Sequence, residues 1–71
     1  NTNFSNFINE YRIKEARRLL TQKESQYLSL EAIGENVGFH SKPSFNAAFK
    51  KFTGLTPSYY KNSLFQEEQA N

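Results

Sequence analysis

Cysteine and aspartate are absent from this chain, and histidine occurs once, as His40. Without cysteine there is neither a disulfide framework nor a thiolate metal site to staple a small fold. Without aspartate, and with a single histidine, no Ser-His-Asp triad, thiol nucleophile or multi-histidine metal cage can be drawn. The glycines, Gly34, Gly38 and Gly54, are too far apart for a phosphate-cradling loop. No apolar run approaches the roughly 20 residues that span a bilayer, and no signal-peptide pattern opens the sequence. β-branched residues are scattered and never alternate over a strand length. These absences predict an all-α chain that is not an enzyme and holds no metal or cofactor. They favour a soluble protein of reducing, cytoplasmic surroundings without membrane contact, or a soluble piece of a longer one. At 71 residues it is one small domain at most.

The net charge is only +2, but its distribution is uneven. Between Asn36 and Gln66 there is no acidic residue, whereas Lys42, Lys50, Lys51 and Lys61 all fall there. A local field of one sign attracts polyanions such as nucleic acid or acidic membrane; the same lysines also serve as ordinary solubilising surface.

Helical signals are punctuated clearly. A first helix is expected from about Phe4 to Leu20, with Asn3 available as N-cap. Its apolar residues form two groups: Phe4, Phe7, Ile8 and Tyr11 on one side, and Ile13, Ala16, Leu19 and Leu20 about 140° away at 100° per residue. Such a helix needs two bodies to pack against. Thr21 to Tyr27 reads as a polar loop. A second helix, Leu30 to Val37, is capped by Ser29; Gly34 inside it implies close approach of a crossing helix. Gly38 suits the left-handed residue ending that helix, with Phe39 pinned inward behind it. The third helix starts near Ser41 to Pro43 and runs to Phe52, with Gly54 as its stop. Phe45, Ala48, Phe49 and Phe52 make its core face, which turns Pro43, Ser44, Asn46, Ala47, Lys50 and Lys51 outward. A fourth helix starts at Thr56 and Pro57, docked by Tyr60 and Leu64, and the tail beyond is expected to fray.

Two short helices around a tight Gly38 turn, the second basic and acid-free, have the form of a helix-turn-helix that inserts its second helix in a DNA major groove. Any αα-hairpin gives a similar pattern, so a helical protein-interaction module with a basic face for an acidic partner is the alternative. The blocks "RIKEARRLL" (Arg12 to Leu20), "LEAIGENVGF" (Leu30 to Phe39), "SFNAAFKKFTG" (Ser44 to Gly54) and "TPSYYK" (Thr56 to Lys61) do more. In this order and spacing they resemble the C-terminal half of the AraC/XylS-type DNA-binding domain of bacterial transcription regulators. That resemblance implies a homeodomain-like helical unit: a linker helix over 1–22, a helix-turn-helix over 29–54, a closing helix over 56–65 and a tail over 66–71. It also implies that a first helix-turn-helix unit, not contained in this chain, packs on Phe4, Phe7, Ile8 and Tyr11. In its absence the same residues are expected to drive self-association.

Carried over residue by residue, the resemblance places Lys42, Pro43, Ser44, Asn46 and Ala47 toward the bases of double-stranded DNA. His40, Ser41, Lys50 and Lys51 fall toward phosphate. Asn46 has the donor and acceptor to pair bidentately with adenine, and lysine can meet guanine O6 and N7. Ala47 departs from the family, which often has a long polar or basic residue there; a methyl contact with thymine or no contact at all remains open to it. Gly34 stands where the family commonly has alanine, another small residue at the helix crossing. Arg12, Arg17 and Arg18 are open to contact with backbone phosphate, but the expectation is that they are solvated or paired with glutamates such as Glu10 or Glu15.

Overall fold

The computed structural model describes the backbone of residues 2–70 and the side chains of residues 4–64. Among the described residues four α-helices follow one another: α1 (Thr2–Thr21), α2 (Leu30–Asn36), α3 (Lys42–Thr53) and α4 (Pro57–Ala70). A single 3₁₀ turn, Lys23–Ser25, interrupts the loop after α1. Among the described residues no helix is long and apolar enough to cross a membrane.

Local chemistry accounts for most helix ends. The Ser29 hydroxyl accepts from the Ala32 N–H, and that of Thr56 accepts from the Tyr59 N–H at 3.2 Å. Each satisfies one of the amide groups that a first helical turn leaves without a partner. At the other end of α2 the chain reverses through a Schellman motif. The Gly38 N–H donates to the Glu35 carbonyl at 3.1 Å and the Phe39 N–H to that of Gly34 at 2.9 Å. Gly38 has φ of 109°, a conformation that suits glycine because it lacks Cβ. Two boundaries differ from expectation. The helical backbone of α1 already includes Thr2, so Asn3 lies within the helix rather than capping it. That of α4 continues to Ala70, past the expected stop near residue 65, since neither proline nor glycine follows Pro57 to break it.

The core is drawn from every helix. Ile13, Ala16 and Leu20 of α1 meet Ile33 of α2, Phe39 of the turn, and Phe45, Ala48 and Phe49 of α3, all buried. Tyr60 and Leu64 close it from α4, partly buried, over the buried Pro57. An aromatic ladder ties the layers: Phe39 lies 5.5 Å from Phe45, Phe45 lies 5.8 Å from Phe49, and Phe49 lies 5.4 Å from Tyr60. The Phe45–Phe49 and Phe49–Tyr60 pairs, at 70° and 68°, place a ring edge on a π face, a favourable quadrupole arrangement beyond the area buried, whereas the Phe39–Phe45 pair is tilted at 46°. Phe52, expected with the core, is only half-buried at its edge. The two groups of apolar residues on α1 separate as their spacing implied. Ile13, Ala16 and Leu20 are interior, whereas Phe4, Phe7 and Tyr11 are 73%, 66% and 61% exposed. Ile8, between them, is half-buried.

One expected pairing is corrected. Arg18 does bridge to Glu15, at 2.9 Å. Arg12 does not join a glutamate: its guanidinium carbon sits 5.7 Å from the Phe39 ring centroid, and its Nε lies 2.9 Å from where a Cβ on Gly38 would stand. Folding brings the turn under α1, where the Phe39 ring offers the cation an aromatic face.

Candidate nucleic-acid interface

The α3 helix is presented to solvent by what anchors its other side. Phe45, Ala48 and Phe49 are held in the core, so at about 100° per residue Pro43, Ala47 and Lys50 form the outermost ridge. All three are exposed. The Ser41 hydroxyl caps the helix, accepting from the Ser44 N–H at 3.3 Å and donating to the Ser44 Oγ at 2.9 Å. Pro43 follows in the first turn, where a missing N–H leaves no intrahelical bond unmade. At the far end Gly54, φ 82°, returns its N–H to the Lys50 carbonyl at 2.8 Å.

On either side of that ridge the residues assigned to DNA from sequence divide into two flanks. Lys42 and Asn46 border a cleft of about 450 Å³ toward α2 and α4, which also contains His40, Ser58 and the carboxylates of Glu31 and Glu35. Asn46 is half-buried there, whereas His40, Ser41 and Lys42 are exposed. Ser44 and Lys51 turn the opposite way, toward α1, and Ala47 walls that side as well. Lys51 is not a free cation: its Nζ donates to the Asn6 Oδ1 at 2.9 Å and stands 5.5 Å from the Phe52 ring centroid. One flank is therefore mixed in sign, and the other carries no carboxylate.

Asn6 and Asn9 on α1 reach this surface, beside Arg12, without having been singled out from sequence. A signal was present: Asn9 and Asn6 precede Ile13 by four and seven residues, and so extend the stripe of Ile13, Ala16 and Leu20 with amides. Of the aromatic residues Phe39, Tyr59 and Tyr60, whose rings have faces on which a base could stack, two are committed to packing. Phe39 is buried and Tyr60 lies edge-on against Phe49, while Tyr59 is 62% exposed.

What the arrangement offers is a convex, acid-free helix with a small apolar centre, hydrogen-bonding groups at its margins and cations at its C-terminal end. A helix of this kind is narrow enough for the major groove, about 12 Å wide in B-form DNA.

Comparison with known proteins agrees with this geometry. A family model described as a helix-turn-helix domain matches residues 1–63. An uncharacterised HTH-type transcriptional regulator of Bacillus subtilis (strain 168) is 33% identical over 64 residues, 90% of this chain and 25% of that protein. The raffinose operon transcriptional regulatory protein of Pediococcus pentosaceus is 30% identical over 64 residues, 90% of this chain and 22% of that protein. A protein named histidine kinase P4, from Formosa agariphila, is 40% identical over 68 residues, which are 93% of this chain but 5% of its own length. The chain thus spans a quarter or less of the curated relatives it matches. No solved structure matches it significantly.

Proposed function

Because the chain belongs to the AraC-type family of DNA-binding helix-turn-helix domains found in transcription regulators, we propose that α3 is its recognition helix and lies in the major groove of double-stranded DNA. The observation that carries this reading is the ridge of Pro43, Ala47 and Lys50 opposite the buried Phe45, Ala48 and Phe49, bordered by Lys42, Ser44 and Asn46. In this reading Lys42, Ser44 and Asn46 contact base edges. Pro43 and Ala47 give the surface an apolar centre suited to a thymine methyl group. His40, Ser41, Lys50 and Lys51 lie toward phosphate, which sets register and affinity rather than sequence preference. The unit does no chemistry of its own, and its setting is the bacterial cytoplasm.

A library of duplexes tests the assignment. Asn46→Ala is expected to lose about 1–3 kcal/mol of discrimination at one adenine, with the salt dependence of binding unchanged. Lys50→Gln should weaken all sequences alike and reduce the slope of log K against log salt by about 0.9. Unchanged sequence preference in Asn46→Ala would remove that residue from the base-reading set.

The exposed strip of Phe4, Phe7 and Tyr11 is in this reading the surface that meets the other helix-turn-helix unit of the same regulator. Left uncovered, it favours association of the 71-residue chain with itself. Sedimentation should show concentration-dependent association that Phe7→Ser reduces; a monomer at high concentration would contradict the assignment.

A further inference from the structure

The acid-free flank of α3 opens into a cleft of about 420 Å³ against α1, and its polar lining is Asn9, Arg12, Ser44 and Lys51. We infer that this cleft is a second phosphate subsite, through which α1 takes part in holding the DNA backbone beside α3. The inference rests on the major-groove reading above.

Three observations carry it. First, the lining suits an anion. The side chains of Arg12, Lys51, Asn9 and Ser44 all have N–H or O–H donors, and no carboxylate lines the cleft. The cleft on the other flank contains Glu31 and Glu35, so a phosphate approaching α3 meets like charge there and only cations here.

Second, the cations are positioned in advance. Arg12 lies over the Phe39 ring, its guanidinium carbon 5.7 Å from the centroid, and Lys51 is tethered to the Asn6 Oδ1 at 2.9 Å and set against Phe52. A cation–π contact uses none of the five N–H donors of a guanidinium, so Arg12 keeps donors for phosphate oxygens. A lysine has three donors, and the tether to Asn6 occupies one.

Third, the stripe of α1 that buries Ile13, Ala16 and Leu20 changes to amides at Asn9 and Asn6, where helix packing alone would be served by apolar residues. That change occurs where α1 passes Ser44 and Lys51. Ala47 belongs both to the wall of this cleft and to the outer ridge of α3. A backbone that follows the groove occupied by α3 is therefore within reach of the cleft.

The test uses the 71-residue chain, a duplex selected from a random library, and salt titrations of affinity. Arg12→Gln is expected to lower the salt slope by about 0.9, as loss of one phosphate contact does. It should leave sequence preference intact, because phosphate contacts carry no sequence information. Arg12→Lys should retain the wild-type slope. Asn9→Asp, which adds a carboxylate to the cleft without touching the Arg12–Phe39 contact, should weaken binding about tenfold at low salt. Lys23→Gln, on the 3₁₀ turn, is the negative control, and circular dichroism checks that each variant is folded. Should Arg12→Gln unfold, Asn9→Asp decides. If Lys50→Gln lowers the slope while Arg12→Gln and Asn9→Asp behave as wild type, the subsite is overturned and the major-groove reading stands. Failure of the wild-type chain to bind any duplex would overturn both. Inorganic phosphate shifting the Asn9 side-chain amide resonances, with duplex leaving them unmoved, would mark a free-anion cleft and also overturn the subsite.

Discussion

Phe49→Ala should leave the chain without a cooperative thermal transition, its helical circular dichroism already largely lost at room temperature. Phe49 is fully buried, and among the described residues it alone has a ring that meets both Phe45, at 5.8 Å, and Tyr60, at 5.4 Å, so it links α3 to α4 as well as filling the core. Truncation removes the ring's transfer free energy and leaves a cavity that the surrounding helices cannot fill, typically about 3–5 kcal/mol together. A domain of this length has on the order of 5 kcal/mol in total. The loss is therefore comparable with the whole stability. Phe49→Leu, which keeps most of the volume, should cost about 1.5 kcal/mol and keep a lowered but cooperative transition. If Phe49→Ala melted within a few degrees of wild type, the core described above would be wrong at its centre.

Gly34 gives the second large effect, and there the size of the substituent decides its sign. A Cβ on Gly34 would stand 3.0 Å from both Cγ and Cδ2 of Phe45. The Phe45 ring cannot swing away freely, since it is packed between Phe39 and Phe49. For Gly34→Ala, the gain in helix propensity of about 1 kcal/mol opposes the strain of moving that ring by a few tenths of an ångström. The two effects should nearly cancel, leaving stability within about 1 kcal/mol of wild type. For Gly34→Leu the propensity gain is similar, but three further carbon atoms must enter the same space. Overpacking then dominates at about 3 kcal/mol, which lowers the melting temperature of a domain this size by roughly 15 °C. Equal stability of Gly34→Leu and Gly34→Ala would mean that α2 and α3 cross farther apart than described.

These two residues also show how unevenly structure was legible in the sequence. The placement of Phe49 in the core followed from its spacing with Phe45 and Ala48. A glycine inside a helix indicated close approach of another element, but not that the element was the ring of Phe45 rather than a backbone. Caps were readable for a similar reason. Ser29, Ser41, Gly38, Gly54 and Thr56 act on amide and carbonyl groups a few residues away. The contact of Arg12 with Phe39 was not legible, because Phe39 lies 27 positions along the chain and only becomes a neighbour once the turn is folded beneath α1.

By itself the sequence determined the four helices, most of their ends, the apolar face of α3 and the acid-free character of its surface. Those depend on interactions within one or two helical turns and on a fixed angular step per residue. Only the tertiary structure decided how the polar residues of α3 divide: Lys42 and Asn46 toward the carboxylates of α2, Ser44 and Lys51 toward Asn9 and Arg12 of α1. Helical periodicity assigns each residue an angle about its own axis. Which neighbour stands at that angle is set by how the helices cross, and in this molecule the crossing is fixed by Gly34 against Phe45 and by the aromatic ladder from Phe39 to Tyr60.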